Sequence, residues 1–411
     1  MEACGVIVEY NPFHNGHLYH LKQAKKVSKA NCIIAIMSGS FLQRGEPAII
    51  DKFHRTKAAL SAGADMVVEL PYPFAVQSSA LFAKGALYTL NELHVSSICF
   101  GSESGKIEPF INSVTKLQEN KSLYDETLRS FLEQGFAFPE ASSKAYNAIG
   151  MNSMDMIQPN NILGLSYVKT IIENKLPIKP LTTKRINNHY HDEKITNEIA
   201  SATSIRKELS KTGISSKITD TLPAESLIQL QTYIDKSTLW HSWEHYFPLL
   251  HYRVMTMTKE ELSNIHGVTE GLEHRIRKTA EKAISFHDWL EKIKTKRYTK
   301  VRLQRIFVHI LTNTTKKAIA SIVQTEKIPY IRLLGMSKKG QAYLNANKKN
   351  IDVPIITNLN KQNRTLLYLD EKATHVYYSI LPAKLRSQLR TQEFKLPIFY
   401  EACSLGSSCF K

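Results

Sequence analysis

Through the first half of the chain, short apolar runs alternate with stretches in which apolar side chains return every three or four positions. Ala3–Val8, Cys32–Met37, Asp65–Leu70 and Ser97–Phe100 read as strands, with Gly16–Ser28, Asp51–Ala62 and Ser79–Leu93 as helices between them. This βαβα rhythm predicts a parallel sheet with helices on both faces, because each crossover returns the chain to the same direction. "CIIAIM" is apolar at every position rather than at alternate ones, as burial on both faces requires. Helical patterns then fill Ile107–Gln134, Lys144–Gly150 and Ile162–Asn174, and a strand at Ile178–Thr182 rejoins the sheet. After a polar stretch at Asn187–Glu198, "SATSIRKEL" opens a helix. From about Thr219 the pattern is mostly helical, through Leu227–Tyr233, Lys259–Ile265, Glu270–Thr295 and Thr299–Leu311. The expected organisation is α/β: a Rossmann-like domain with a parallel sheet over residues 1–215, then a mostly α-helical region over residues 216–411. The boundary is soft, between Leu209 and Ser237.

Charge sharpens this division. Residues 1–250 hold 25 Lys and Arg against 24 Asp and Glu, a net of +1, whereas residues 251–411 hold 29 against 13, a net of +16. A polyanion such as nucleic acid, held by the second part, is the leading expectation; a solvated basic surface is the bland alternative. Five cysteines include no pair at CxxC spacing, and Cys4, Cys32 and Cys99 lie in strand-like runs, so neither a disulfide framework nor a zinc ribbon is expected. No apolar stretch approaches the roughly 20 residues that a bilayer requires, and no signal-type segment opens the chain. A soluble, cytoplasmic protein without membrane contact is expected.

In an open parallel sheet, ligands collect beyond the carboxyl ends of the strands. The loops there are "NPFHNGH", "SGSFLQRGEP", "PYPF" and "GSESG". In the first, Pro12 stiffens the turn, Gly16 allows close approach to the backbone, and His14 and His17 point the same way at the start of a helix. Unpaired N–H groups and the helix dipole favour an anion at that point, and two imidazoles, protonated beside a phosphate, would add donors and charge. The form His-x-Gly-His after a first strand resembles the HxGH nucleotidyltransferases. "SATSIR" resembles their second element: Ser201, Thr203 and Ser204 at a helix start, with Arg206 one turn later, suit β- and γ-phosphates. Zinc on His14, His17 and His20 is disfavoured, since no acidic or Cys partner has metal spacing and HExxH is absent. Neither GxGxxG nor GxxxxGK[ST] follows any strand. In the basic part, Lys292, Lys294, Lys296, Arg297, Lys300, Arg302 and Arg305 form the densest run of positive charge, interleaved with Tyr298, and read as a phosphate-backbone surface.

Taken together, "VEYNPFHNGHLYHL", "MSGSFLQRGEPAIIDKFHRTKAAL", "GADMVVELP", "FGSESG", "QPNNILGLSY" and "KIKTKRYTKVRLQR" resemble the tRNA(Met) cytidine acetate ligase family over nearly the whole chain. The resemblance implies a ligase with ATP as substrate that forms acetyl-adenylate and diphosphate from acetate and ATP; Mg²⁺ is expected because it neutralises and orients a triphosphate. The acetyl group then passes to the wobble cytidine of elongator tRNA(Met), giving N4-acetylcytidine. It implies ATP contact along the segment Ile7, Val8, Glu9, Tyr10, Asn11, Pro12, Phe13, His14, Asn15, Gly16, His17, Leu18, Tyr19 and His20. His14 and His17 would be the catalytic pair. It also implies contact at Gly101, Asn160 and Arg185, with Ser201, Thr203, Ser204 and Arg206 on the phosphates. No protein partner and no metal-ligating side-chain set are implied. Arg44, Lys52, Arg55 and Lys57, which flank the second-strand loop, are secondary candidates for tRNA or pyrophosphate. Two alternatives stand beside this reading. A small-molecule adenylyltransferase would leave the +16 of residues 251–411 without a role, and a non-catalytic RNA-binding protein would keep only a degenerate nucleotide fold.

Overall fold

A computed structural model describes residues 1–151, 158–185, 199–269, 271–402 and 408–410. Among the described residues nine strands form one sheet: β1 (Ala3–Val8), β2 (Cys32–Ser38), β3 (Met66–Leu70), β4 (Ser97–Ser102), β5 (Lys179–Lys184), β6 (Ile331–Ser337), β7 (Ile355–Ile356), β8 (Ile398–Ala402) and β9 (Ser408–Phe410). The path is β5-β4-β1-β2-β3-β6-β8-β9, with β7 also paired to β6. From β5 to β3 every pairing is parallel. The chain builds outward from β1 through β2 to β3, then returns to place β4 and β5 on the other side. The reversal falls between β1 and β4, where an open α/β sheet leaves a crevice at its carboxyl edge.

Two-sided burial explains the unbroken apolar runs. Along β2, Cys32, Ile34 and Ile36 face one core with the helices Ser79–Glu92, Glu108–Glu119 and Pro159–Glu173, while Ile33, Ala35 and Met37 face another. That second core is closed by α1 (Asn15–Ser28) and α2 (Lys52–Ser61).

The expected strands and first helices are present, with differences further on. The helical pattern at 107–134 is two helices, Glu108–Glu119 and Lys121–Glu133, which meet at Asn120. The pattern at 270–295 likewise divides into Leu272–Ala280 and Phe286–Ile293. The C-terminal region is mainly helical, yet it also supplies β6 to β9. β6 lies antiparallel to β3, so no βαβ rhythm announces it in the sequence. Cys409 in β9 is disulfide-bonded, and its strand folds back antiparallel on β8. Cys4, Cys32 and Cys99 are free and buried.

A third core holds the helical region together around Trp289, Phe307 and the stacked pair Trp243 and Phe286, whose ring centroids lie 4.4 Å apart. It also takes in Phe41, Leu42, Ala48, Ile49 and Ile50, so the loop after β2 is anchored in the helical core. No helix among the described residues is long and apolar enough to cross a membrane.

Candidate active site

The turn after β1 is built to present imidazoles. Tyr10 has φ +51°, the Asn11–Pro12 bond is cis, and the Asn11 side chain accepts the Ile49 N–H at 2.7 Å. His14 then caps α1 with its ring: Nδ1 accepts the Gly16 N–H at 3.1 Å, while His17 Nδ1 accepts the His14 N–H at 3.2 Å. A helix start leaves its first N–H groups unpaired, and here two histidines do what Ser and Glu do in an ordinary capping box. The tautomer follows. A ring that accepts at Nδ1 and is neutral carries its proton on Nε2, so both rings are donors at Nε2. Gly16 must lack a side chain, since a Cβ there would stand 2.9 Å from His14 Cε1.

The rings stack with centroids 3.7 Å apart, and Tyr10 and Phe13 pack edge-on and tilted against His17. Burial, then Arg185 and Arg206, pull the His14 pKa down to about 3. His17 lies well below the usual value through burial, then His14, His20 and Arg185. His20 falls to about 4 through burial and Arg185, against a backbone hydrogen bond to Cys99. Burial therefore favours the neutral form of these imidazoles at pH 7 when no anion is beside them. An arriving phosphate favours their protonation.

These groups open on a cavity of about 270 Å³ at the carboxyl edge of the sheet. Its walls come from the ends of β1 (Ile7, Val8, with Glu9 and Tyr10 just beyond), β4 (Phe100, Gly101) and β5 (Thr183, Lys184, with Arg185 just beyond). Asn11, His14, Gly16, His17, Tyr19 and His20 follow from the first turn and α1. Ser201, Thr203 and Arg206 join them from the far end of the sequence. The helix Ala202–Thr212 begins here, with Ser201 Oγ accepting the Ser204 N–H at 3.0 Å. Arg206 donates from Nη1 to the Asn11 carbonyl at 2.9 Å and from Nη2 to Glu46 Oε2 at 3.1 Å. On the opposite rim Arg185 Nη1 donates to Asn160 Oδ1 at 2.9 Å, and Asn160 Nδ2 donates to Glu103 at 3.0 Å.

Some expected residues stand behind this wall. Pro12, Phe13, Asn15 and Leu18 do not line the cavity, and Ser204 is 1% exposed and turned into its own helix cap. Phe13 packs on Tyr10, and Asn15 Nδ2 donates to the Asp220 carbonyl. Lining residues that motif reading missed include Phe82, Leu163 and Tyr167, together with Gln43 and Glu46 of the second loop. That loop's place at a strand's carboxyl end was the available signal. Arg44 does line the cavity, but two other secondary candidates are out of reach. Lys52 is 3% exposed and paired with Glu69 and Glu393 at 2.7 and 2.8 Å. Arg55 is fully buried, donating to the carbonyls of Glu9, Ser38, Gly39 and Ile50. Lys57 lies with Nζ over the Phe410 ring at 5.4 Å.

Residues 1–393 match the HIGH Nucleotidyl Transferase family. The Oceanobacillus iheyensis protein named tRNA(Met) cytidine acetate ligase is 56% identical over 401 residues, covering 97% of this chain and 100% of that relative. The Bacillus subtilis protein of the same name is 44% identical over 407 residues, with 98% of each covered. The chain belongs to the tRNA(Met) cytidine acetate ligase family. Two crystal structures of the Thermotoga maritima member TmcAL, 33% identical, match 97% of this chain and 99% of theirs. The apo form has a TM-score of 0.89, and the form bound with alpha-thio ATP 0.88.

In this member of the tRNA(Met) cytidine acetate ligase family the basic run divides into different environments. Lys292 pairs with Asp288, and Lys294 and Lys300 both pair with Glu291. Lys296 and Arg297 are exposed, with Arg297 and Arg302 on the Tyr298 ring at 5.7 and 5.0 Å. Arg305 instead turns inward: Nη1 donates to the Gln77 carbonyl at 2.9 Å, and burial pushes its pKa down to about 10. Its backbone packs on the second loop, where Gly45 has φ +77° and a Cβ would stand 2.4 Å from Arg305 N. Among the described residues no group of three or more His, Cys, Asp or Glu could hold a metal ion.

Proposed function

We propose that this protein joins acetate to the wobble cytidine of elongator tRNA(Met) at the expense of ATP, giving N4-acetylcytidine through acetyl-adenylate. The observation that carries the reading is the meeting of the His14 and His17 rings with Ser201, Thr203 and Arg206 around one cavity at the strand-order reversal. The names of the relatives, and their coverage of nearly the whole chain, support the same reaction over a small-molecule adenylyltransferase or a non-catalytic RNA-binding protein.

The physical logic is that of a synthetase. A carboxylate aligned on the α-phosphate of ATP is already a nucleophile, so positioning and charge stabilisation replace a protein nucleophile. His14 and His17 offer Nε2–H donors to phosphate. The start of the Ala202–Thr212 helix adds N–H groups and hydroxyls, and Arg185 and Arg206 add fixed positive charge. Phe82, Phe100, Leu163 and Tyr167 form the apolar part of the wall, suited to adenine. Residues 216–411 hold the tRNA, with Lys296 and Arg297 on phosphate backbone. Mg²⁺ would arrive with the triphosphate. Among the described residues the carboxylates that line the cavity are Glu9 and Glu46, and Glu46 is engaged by Arg206, so these walls supply no carboxylate cluster to hold the ion. The site of action is the cytoplasm, where tRNA and ATP are found.

Mass spectrometry of nucleosides from tRNA incubated with protein, ATP and acetate tests the proposal. N4-acetylcytidine that needs both small molecules is the expected outcome. Acetylation from acetyl-CoA with acetate excluded would sink it.

A further inference from the structure

The reaction just proposed forms a C–N bond and frees a proton from the cytidine N4 amine, and the groups that face phosphate are ill suited to take it. His14 and His17 spend Nδ1 on backbone N–H groups and carry their proton on Nε2, so as neutral rings they only donate into the cavity. Tyr10 and Tyr167 are pushed far up by burial and stay protonated. Glu46 is tied to Arg206. Burial and Arg185 make His20 a weak proton acceptor.

Glu9 differs from all of these. It follows β1 directly, its carbonyl is held at 2.7 Å by the buried Arg55, and its Oε1 accepts the Gln43 N–H at 2.9 Å. Backbone and side chain are thus both fixed while the residue lines the cavity. Among the described residues it makes no ion pair, so its second carboxylate oxygen is uncommitted. Arg44 and Glu46 of the second loop, Arg206 of the helix Ala202–Thr212, Arg55 of α2 and Tyr167 of the helix Pro159–Glu173 are the charged and titratable groups that face it. Burial outweighs their sum and raises its pKa, the direction that makes a carboxylate a better base near neutral pH.

We propose that the Glu9 carboxylate is the catalytic base for the transfer step, taking the proton of the cytidine amine as it attacks the acetyl carbonyl. The N4 lone pair forms the C–N bond. The bond between the acetyl carbon and the phosphate oxygen breaks, and its electron pair leaves with AMP. The amine proton passes to Glu9 and from there to water, so acetyl-adenylate plus amine gives amide, AMP and one proton.

This rests on the reaction proposed above, and the test separates the two. Acetate-dependent ATP–pyrophosphate exchange and acetyl transfer to tRNA are measured on the full chain and on Glu9→Gln, whose amide oxygen can still accept the Gln43 N–H but cannot take a proton. The expected result is a fall in transfer, relative to exchange, on the order of 10²–10⁴-fold. Glu9→Asp should recover part of it. The wild-type loss of transfer at acid pH should be absent from Glu9→Gln. Parallel losses in both half-reactions, or transfer that keeps pace with exchange, overturn the base alone. The same split in His20→Gln, with transfer intact in Glu9→Gln, moves the role to that ring and also overturns it. Absence of acetate-dependent exchange in the wild type overturns the reaction and the base with it.

Discussion

Arg206 donates to the Asn11 carbonyl at 2.9 Å across 195 residues of sequence, joining the helix start at Ser201 to the turn that presents the histidines. The same guanidinium reaches Glu46, so three loops at the carboxyl edge share one cation. A buried loop carbonyl and a carboxylate are satisfied together, and the cavity is shaped before any nucleotide arrives.

Arg206→Ala should therefore weaken nucleotide binding at least tenfold. It removes a charged donor worth about 1.5–3 kcal/mol and leaves Glu46 as an unpaired negative charge beside the phosphates. Calorimetric titration with a non-hydrolysable ATP analogue checks this, and an unchanged Kd would separate Arg206 from the nucleotide.

His14→Ala removes both a helix cap and an Nε2–H donor. Acetate-dependent pyrophosphate exchange should fall on the order of 10²–10³-fold, the scale of one lost oxyanion donor. tRNA affinity should stay near wild type, because the basic surface lies on other elements. Exchange at wild-type rate would remove the ring from the reaction.

Lys296→Glu with Arg297→Glu should lower the slope of log K against log salt for tRNA binding, by about 1 for each phosphate left without its cation. Arg305→Ala should leave that slope alone and lower stability, since its guanidinium serves the Gln77 carbonyl. Equal slopes for the double charge reversal and the wild type would place the RNA elsewhere.

Gly45→Ala is expected to destabilise by about 1–3 kcal/mol, since φ +77° is a region that side chains resist and the added carbon would meet the Arg305 backbone. Urea unfolding measures it; a midpoint equal to wild type would mean that the loop shifts at no cost.

Acid should destabilise the fold through its buried imidazoles. The His14, His20 and His241 pKa values lie at about 3, 4 and 3 in the folded chain, while in the unfolded chain each ring takes its proton near the ordinary 6.5. The unfolded state thus binds more protons once pH drops below about 6.5. The stability each neutral ring contributes is present above that pH and is lost as pH falls toward 4, at roughly 1.4 kcal/mol per pH unit per ring. A urea midpoint that does not move between pH 7.5 and about pH 5 would contradict this.

The strands β1 to β4 were legible because two-sided burial writes itself as short apolar runs, and the first turn was legible because His-x-Gly-His needs its residues in fixed order. β6 was not: "IRLLGMS" is a short apolar run whose pairing with β3 depends on residues far away in the sequence. The inward turn of Arg305 was equally hidden, since exposed and buried arginines read alike in a basic run. The opposite error befell Lys52 and Arg55. They stand beside a loop that looks like a binding edge, yet Glu69, Glu393 and a ring of carbonyls take them into the interior.

Strand β3 has β2 on one side and β6 on the other, and β6 arrives from more than 250 residues later in the chain. A fragment ending near residue 215 would bare the backbone of β3 and the apolar lining of the second loop, making an edge open to aggregation. In the function proposed above, the two tasks of activating a carboxylate and gripping an RNA fall to different stretches of the polypeptide. They cannot be separated with a protease, because the last strands help to close the half that carries out the first task.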